Sequence, residues 1–133
     1  MTASVIKQKM AQETLSSVLF LSLDESHFFN TINKFFMDSM NSHKVQAYKI
    51  LENGQAQLIS ENGKIAEHSH LLEKGMGAVG YIVRTKKGYF SNSVERDPVF
   101  TREASLGVKA ELCFPISVDG VVIGSIHCQM LDN

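Results

Sequence analysis

The spacing of apolar residues divides the chain into a helical first part and a strand-rich remainder. Residues 2–21 contain no Gly or Pro, and their apolar positions recur every three or four residues, which predicts an amphipathic helix. A second helix is predicted up to about Asn41, because Ser22 and Glu25 have the spacing of a capping box. We expect one face of this helix to pack in the core: Phe28, Phe29, Ile32, Phe35, Phe36 and Met40.

A β-hairpin is predicted at Asn53-Gly54, which lies between two apolar stretches. A three-residue loop pairs Tyr48 with Leu58 and gives a cleaner apolar face than a two-residue loop, so we favour the longer loop. Further along, a short helix is predicted from Met76 to about Lys86, with Gly88 as its stop. Its inward residues would be Ala78, Val79, Ile82 and Val83.

Two short elements are predicted before the last hairpin. Residues 89–91 have the pattern of a short strand, and Asp97-Pro98 suits the start of a helix that reaches about Ala104. The order of elements favours an α+β fold with an antiparallel sheet over alternating β-α-β units.

The last hairpin has two possible registers, which place different residues opposite each other. A two-residue turn at Asp119-Gly120 would set Cys113 opposite Ile126 and mix polar and apolar groups on both faces. A three-residue loop over 118–120 sets Cys113 opposite Ser125, and we prefer it because it sorts the side chains by polarity. One face then carries Leu112, Phe114, Ile116, Val122, Ile126 and Cys128, and the other carries Glu111, Cys113, Ser125, His127 and Gln129.

The polar face of this hairpin allows three interpretations. It is a half-exposed sheet surface, the floor of a ligand pocket, or a covalent site built on Cys113. Catalysis would need a nucleophile held to a base and an oxyanion site, which no spacing here establishes. His68 and His70 could supply two metal ligands, but no acidic or Cys partner is adjacent in sequence, and we predict no metal site.

Gly75, Gly77 and Gly80 match the spacing of a dinucleotide-binding loop. That motif requires a buried hydrophobic strand before the first glycine, and residues 68–74 are too polar to form one. We therefore predict that these glycines start a short helix and let it approach the sheet closely.

Composition excludes several classes of protein. The chain has 133 residues, 44% of them hydrophobic, with 13 Lys and Arg against 14 Asp and Glu, which predicts one folded domain. The near-neutral charge argues against nucleic acid as a partner. The longest clean apolar run, residues 18–21, is far too short to span a membrane, and no signal peptide is recognisable. Two Cys residues make no disulfide framework, so a cytoplasmic location is expected.

From about Leu71 to Gln129 the sequence resembles the GAF domain family. The matching stretches are residues 73–83, 89–92, 97–100, 111–116 and 119–126, and the segment 22–51 is similar to the family's opening. The resemblance implies a six-stranded antiparallel sheet, with helices packed on one face and a ligand pocket under short helices and loops on the other. It also implies a regulatory domain that senses a small molecule or serves for dimerisation.

Residues that differ from the family's motifs argue against several of the functions known for GAF domains. The Asn-Lys signature of cyclic-nucleotide members is missing after Gly124, and no bilin-binding Cys is recognisable. A member that reduces free methionine sulfoxide has acidic residues placed as Glu111 and His127 are, but its catalytic Cys would fall near Ala104. We therefore expect a non-enzymatic domain without a cofactor, in which Glu111 retains an amine-binding role.

The resulting prediction is a single domain over residues 1–133 that binds a small metabolite, with an amino acid or amine as the first guess. The expected ligand-binding residues are Glu111, Cys113, Ser125, His127, Asp97, Phe100, Ser91 and Asn92. The alternatives are a ligand-free interaction or dimerisation module and, less favoured, a thiol-dependent methionine sulfoxide reductase.

The N-terminal helix, residues 1–22, has apolar residues around much of its circumference, more than one sheet face covers. Such a stripe is typical of an interaction surface, so we expect a homodimer through this helix and a signal that passes to a partner protein. The alternative is a helix that packs on its own sheet. No long exit helix follows the last predicted strand, so we expect no attached output domain.

Overall fold

Seven antiparallel strands and two helices make up the part of the chain that the structure describes. The computed structural model describes residues 24–40, 42–68, 70–75, 77–100 and 107–131. The predicted N-terminal helix and its dimer surface lie outside these residues. The elements are α1 (Glu25–Met40), β1 (Lys44–Ile50), β2 (Ala56–Glu61), β3 (Lys64–Ile65), β4 (Leu71–Leu72), α2 (Gly77–Thr85), β5 (Tyr89–Ser91), a 3-10 helix (Val94–Arg96), β6 (Val108–Val118) and β7 (Val121–Leu131).

The strands form one sheet in the order β3-β2-β1-β7-β6-β5, and β4 also pairs with β2. All pairings are antiparallel, so the predicted α+β fold is confirmed. The two longest strands, β6 and β7, pair with each other and lie inside this order. None of the described helices is long and apolar enough to cross a membrane.

Helix α1 packs its aromatic face on one side of the sheet, as predicted. Phe28, Phe29, Ile32 and Phe36 are buried against sheet residues such as Phe114. The helix starts differently from the prediction, since the Asp24 carboxylate accepts a hydrogen bond from the backbone N–H of His27 at 3.0 Å. Asp24 is thus the N-cap. Glu25 is the first helical residue and not the third, so the predicted capping box is wrong; Ser22 is outside the described residues.

The first hairpin has the register that we favoured. Tyr48 pairs with Leu58 and Ile50 pairs with Ala56, and Leu51 N–H donates to Gln55 C=O at 2.8 Å. The pairing shifts by one residue between Ala47 and Tyr48, where the strand has a bulge.

The last hairpin corrects our preferred register. Its turn is the two-residue Asp119-Gly120 that we rejected, with both residues at positive φ (51° and 79°), as a type I′ turn requires. The pairing then shifts at a bulge next to Ser117, so that Cys113 lies opposite His127 instead of Ser125. Because the turn and the bulge together displace the pairing by two residues, the polar and apolar faces stay as predicted.

One residue of that prediction changes face. Val122 lies beside the bulge and packs against the apolar cluster that contains Val108 and Cys113, on the side of the sheet that carries Cys113. Cys128 and Cys113 lie in different apolar clusters, on opposite faces, as predicted. Both are free thiols.

Helix α2 lies over the second face of the sheet. Ala78 and Ile82 pack there, whereas Val83, which we expected to face inward, is 39% exposed. The helix ends at Thr85, and Lys86 adopts the positive φ (58°) that we expected of a later glycine. Gly88 instead lies so close to β6 that a Cβ atom would come within 3.1 Å of the Cys113 carbonyl oxygen.

The two short elements predicted before the last hairpin have different outcomes. A strand at 89–91 is present as β5. The predicted helix start at Asp97-Pro98 is wrong, because residues 97–100 form a turn in which Phe100 N–H donates to Asp97 C=O at 3.2 Å. The rest of that predicted helix lies outside the described residues. The 3-10 helix was not predicted.

The glycine motif has none of the surroundings of a dinucleotide site. The strand before it, Leu71–Leu72, has two residues and pairs antiparallel with β2, so it is not a buried parallel strand. A Cβ atom on Gly80 would collide with the Gly75 backbone. The spacing therefore reflects close packing of the helix start on the preceding loop.

Candidate functional site

The central strands carry a polar cluster on the sheet face opposite α1. Glu111 and Cys113 come from β6, and Ser125, His127 and Gln129 come from β7. All five side chains are buried, with exposed fractions between 0% and 6%. A half-exposed polar surface, one of the three interpretations of this face, is therefore wrong.

The five side chains form one connected hydrogen-bonding network, called the Glu111 cluster below. Ser125 Oγ lies 2.8 Å from His127 Nε2, and His127 Nδ1 lies 3.2 Å from Cys113 Sγ. The Cys113 thiol donates to Glu111 Oε2 at 3.0 Å, and the same oxygen is 3.5 Å from His127 Nδ1. The Gln129 amide donates to the other carboxylate oxygen, Oε1.

The register of β6 and β7 explains why these groups meet. Side chains two residues apart on a strand share a face, which brings Glu111 beside Cys113. The pairing sets Cys113 opposite His127 and Glu111 opposite Gln129. Directly opposed side chains are neighbours, so two alternating strands suffice to assemble the network.

Burial and hydrogen bonding act in opposite directions on Glu111. Burial raises its pKa, but the hydrogen bonds and charge of His127, together with the Cys113 and Gln129 contacts, outweigh burial and lower the pKa below its usual value. Burial and the Glu111 carboxylate raise the pKa of Cys113 well above that of a free thiol. Since the thiolate is the nucleophile, this environment does not favour covalent chemistry at Cys113.

Apolar and aromatic groups surround the Glu111 cluster. The Tyr48 ring meets the His127 ring edge to face, with centroids 5.4 Å apart. Phe100 is buried in the same apolar cluster as Cys113, with Ala78 and Ile82 of α2. Cys113 and Phe100, both expected to bind a ligand, thus lie in one apolar cluster on the same side of the sheet.

Ser91, Asn92 and Asp97 occupy the segment beside the Glu111 cluster. Ser91 is buried and pairs with Glu111 across β5 and β6, whereas Asn92 is exposed. The Asp97 carboxylate accepts from the Tyr89 hydroxyl at 2.5 Å and from Val99 N–H at 2.9 Å. Both Asp97 oxygens therefore have partners within the fold, and this hydrogen bond raises the pKa of Tyr89 to about 12.

A cavity of about 170 Å³ lies at the edge of this segment and not over the Glu111 cluster. Its described lining comes from the chain between β5 and the 3-10 helix and from the start of β6: Asn92, Ser93, Val94, Glu95, Arg96, Val108 and Lys109. Of the eight residues predicted to bind a ligand, Asn92 alone is part of that lining. Volumes of about 300–1,000 Å³ are usual for small-molecule pockets, so this cavity holds at most a small ligand.

Two residues in or beside the Glu111 cluster were absent from the predicted site. Gln129 holds the Glu111 carboxylate, and Tyr48 covers His127. Gln129 was already on the polar face of the predicted hairpin, so the alternation of β7 could have identified it. Tyr48 comes from β1, and its place beside His127 depends on the pairing of β1 with β7.

Comparison with solved structures identifies the fold. The GAF domain of A. aeolicus NLH2 in an inactive state superposes with a TM-score of 0.67 at 16% sequence identity, covering 98% of this chain and 83% of that one. The phycocyanobilin-bound GAF domain from a cyanobacterial phytochrome gives a TM-score of 0.64 at 15% identity, covering 95% and 81%. This chain has a GAF-domain fold.

Other proteins with a GAF fold include enzymes. The free methionine-R-sulfoxide reductase from Neisseria meningitidis, in complex with its substrate, gives a TM-score of 0.65 at 16% identity, covering 98% of this chain and 76% of that one. No family model matches the sequence, and no curated protein matches it. At these sequence identities the similarity establishes the GAF fold alone. The function of this protein has to be argued from the residues of its own site.

Proposed function

We propose that this protein is a sensory or regulatory GAF domain that binds a small metabolite at the Glu111 cluster and acts through a dimer or partner interface. The single observation that carries the proposal is the Glu111 carboxylate, which is 4% exposed. Within the described part of the chain, no Lys or Arg forms an ion pair with it. Its partners are Cys113, Gln129 and the His127 ring, whose Nδ1 lies 3.5 Å from Glu111 Oε2. A cationic ligand group would add a full positive charge beside this buried carboxylate and would be favoured there.

An amino acid or a related amine is the ligand class that fits this carboxylate. Its ammonium group would be held by Glu111, while Ser125 and His127 would offer hydrogen bonds and Phe100 an apolar wall. Two of the similar structures, the bilin-bound domain and the substrate-bound reductase, are described with a small molecule. That description supports a small-molecule ligand for this fold.

Ligand entry requires movement, because the Glu111 cluster is closed. The segment from Tyr89 to Phe100 would move, since β5 pairs with β6 at Glu111 and Asn92 lines the cavity of about 170 Å³. A ligand would favour the arrangement of this segment that admits it, by no more than its differential affinity for the two arrangements.

Thermal unfolding against a panel of amino acids, amines, nucleotides and cyclic nucleotides, in the presence of a chelator, tests the proposal. A ligand at about 100 times its Kd adds roughly 2.7 kcal/mol, which raises Tm by several degrees in a domain of this size. We expect an amine-bearing compound to raise Tm, and Glu111→Gln to reduce that rise. Glu52→Gln, in the exposed first hairpin turn, removes the same charge away from the cluster and serves as the matched control.

A ligand-free interaction module is the second candidate, and the closure of the Glu111 cluster favours it. Glu111 and His127 are each only 4% exposed, and Phe90 on the edge strand β5 is 57% exposed. A panel in which no compound raises Tm would select this function and contradict the metabolite sensor.

The alternative of a thiol-dependent methionine sulfoxide reductase is tested separately. Cys113 and Cys128 are buried in different apolar clusters on opposite faces, which does not suit a thiol pair acting together. We expect no turnover of free methionine sulfoxide with a thiol reductant. Turnover that Cys113→Ser abolishes would replace the proposal of a non-enzymatic domain.

A further inference from the structure

Three metal-ligating side chains converge within the Glu111 cluster. Glu111, Cys113 and His127 each offer one donor atom, and the three atoms lie within 4.8 Å of one another. The sequence suggested metal ligands elsewhere, at His68 and His70, and both of these side chains are exposed. The convergence arises from the observed register, which sets Cys113 opposite His127.

We propose that Glu111, Cys113 and His127 bind a divalent transition metal ion of the zinc and cobalt class. The proposed metal site lies in the same Glu111 cluster as the proposed metabolite site. It rests on the proposed function only because it treats this cluster as the sensing site. A metal ion and an ammonium group would compete for Glu111 Oε2, so each can be tested without the other.

The spacing of the donor atoms suits such an ion. The triangle formed by Cys113 Sγ, His127 Nδ1 and Glu111 Oε2 has edges of 3.0, 3.2 and 3.5 Å. Tetrahedral coordination with bonds of about 2.0–2.3 Å places neighbouring donors about 3.3–3.6 Å apart. Shifts of a few tenths of an ångström would therefore convert the hydrogen-bonded triangle into three metal ligands.

The atoms that would not touch the metal already have the partners that metal sites require. Ser125 Oγ lies 2.8 Å from His127 Nε2, so the tautomer with its proton on Nε2 donates to Ser125 and leaves the Nδ1 lone pair free. The Gln129 amide holds Glu111 Oε1 and leaves Oε2 facing the thiol. Such outer partners fix ligand orientation.

The ligand types set the class of metal and leave one position open. A thiolate with an imidazole and a carboxylate suits zinc, cobalt or iron and does not suit magnesium or calcium, which prefer oxygen ligands. On binding, the metal–sulfur bond forms as the Cys113 thiol releases its proton to solvent, and no electron is transferred. Three protein ligands leave a fourth tetrahedral position for water or a small ligand.

Cobalt binding tests the site directly, because a cobalt–thiolate bond gives a charge-transfer band in the near ultraviolet. Co²⁺ is added to the full-length protein, both folded and during refolding from urea, since the donors are buried. We expect one equivalent to produce the band, and Zn²⁺ to remove it by displacement. Absence of the band under both conditions would overturn the proposal.

The two Cys residues supply the matched variants. Cys128→Ser leaves Cys113 as the sole thiol and should keep the band, and Cys113→Ser should abolish it. If Cys113→Ser fails to fold, Cys128→Ser still decides, because a lost band there places the thiolate at Cys128 and contradicts the site. His68→Ala combined with His70→Ala should keep the band.

The outer partners give a quantitative readout. Ser125→Ala and Gln129→Leu should each weaken cobalt affinity by about 10- to 100-fold without removing the band. Unchanged affinity in both variants would contradict the proposed orientation of His127 and Glu111.

Failure of this inference can be separated from failure of the metabolite sensor. A Tm rise with amines in chelator, without a cobalt band, keeps the sensor and overturns the metal site. A cobalt band that depends on Cys113, without any Tm rise from amines, supports the metal site and contradicts the proposal that the ligand is an amine.

Discussion

At the scale of single residues, the Glu111 carboxylate determines the electrostatics of the second sheet face. Its neighbours within hydrogen-bonding distance are Cys113, His127 and Gln129. Burial alone would raise the pKa of Glu111, but these groups lower it. The charged form is therefore the one that the folded protein stabilises.

This direction predicts a pH dependence of stability. Because the pKa of Glu111 is lower in the folded state than in the unfolded chain, its contribution is present above the unfolded pKa of about 4.3 and is lost as pH falls through the folded pKa. Glu111→Gln should therefore lose less stability than wild type between about pH 5 and pH 3. Urea unfolding of both proteins across this range measures the difference.

A matched control separates the pH dependence due to Glu111 from that due to other carboxylates. Asp24 and Asp97 also have lowered pKa values and act equally in both proteins. Glu52→Gln, in the exposed first hairpin turn, should follow the wild-type pH dependence. Parallel curves for wild type and Glu111→Gln would show that Glu111 does not have the lowered pKa that its hydrogen bonds imply.

At the scale of elements, the β6–β7 hairpin combines two glycines with different roles. Gly120 has a φ of 79°, and a Cβ atom there would meet no other atom within 4 Å. Gly124 lies inside the sheet, where a Cβ atom would come within 2.6 Å of the Phe29 ring and would also collide with the Tyr48 carbonyl oxygen. Gly120 thus serves the turn, and Gly124 serves the packing of α1 on the sheet.

Alanine at the two positions should separate these roles. Gly120→Ala should cost about 1 kcal/mol of unfolding free energy, from backbone strain alone. Gly124→Ala should cost at least about 3 kcal/mol, because neither the β1 backbone nor the buried Phe29 ring can withdraw easily. Urea unfolding midpoints give both values, and equal losses would contradict the assignment.

The same hairpin shows how far the sequence could predict the site. Alternation along each strand assigned Glu111, Cys113, Ser125, His127 and Gln129 to one face correctly, because successive side chains point to opposite faces and here one buried face is polar and the other apolar. The exact partners could not be obtained in this way. The bulge beside Ser117 depends on strand twist and packing that no local pattern records, and it moved His127 opposite Cys113.

The first hairpin and α1 were easier to predict because their signals are local. Asn53-Gly54 marks the turn, and the aromatic spacing marks the buried helix face. The segment from Ser91 to Phe100 was harder, since its position depends on contacts distant in sequence, such as the pairing of Ser91 with Glu111. Its 3-10 helix was therefore missed.

At the scale of the whole molecule, the sheet separates two kinds of surroundings. The α1 face is an apolar core of Phe, Ile and Val residues. The opposite face carries the Glu111 cluster under α2 and the segment from Tyr89 to Phe100. Ligand binding at the Glu111 cluster would affect a partner protein only if α2, the segment from Tyr89 to Phe100 or the sheet contacts that partner differently in the bound and free states.

A homodimer through residues 1–22 is the form of contact that the sequence predicts. The apolar positions of this segment exceed one stripe, and a two-fold symmetric pairing would cover the remainder. Leu15→Glu and Val18→Glu would place a carboxylate within such an interface, which is unfavourable without a partner of opposite charge. We expect sedimentation equilibrium to show a dimer for the full chain and a monomer for each variant.

The control for this experiment is Gln12→Glu, which adds the same charge at a polar position of the predicted helix and should leave the dimer intact. Circular dichroism must show that the variants keep their helix and strand content, so that loss of the dimer reflects the interface. If the full chain is monomeric, or if both variants remain dimeric, residues 1–22 are not the interface. The sensor would then have to signal from a surface of the sheet domain, such as the β5 edge where Phe90 is exposed.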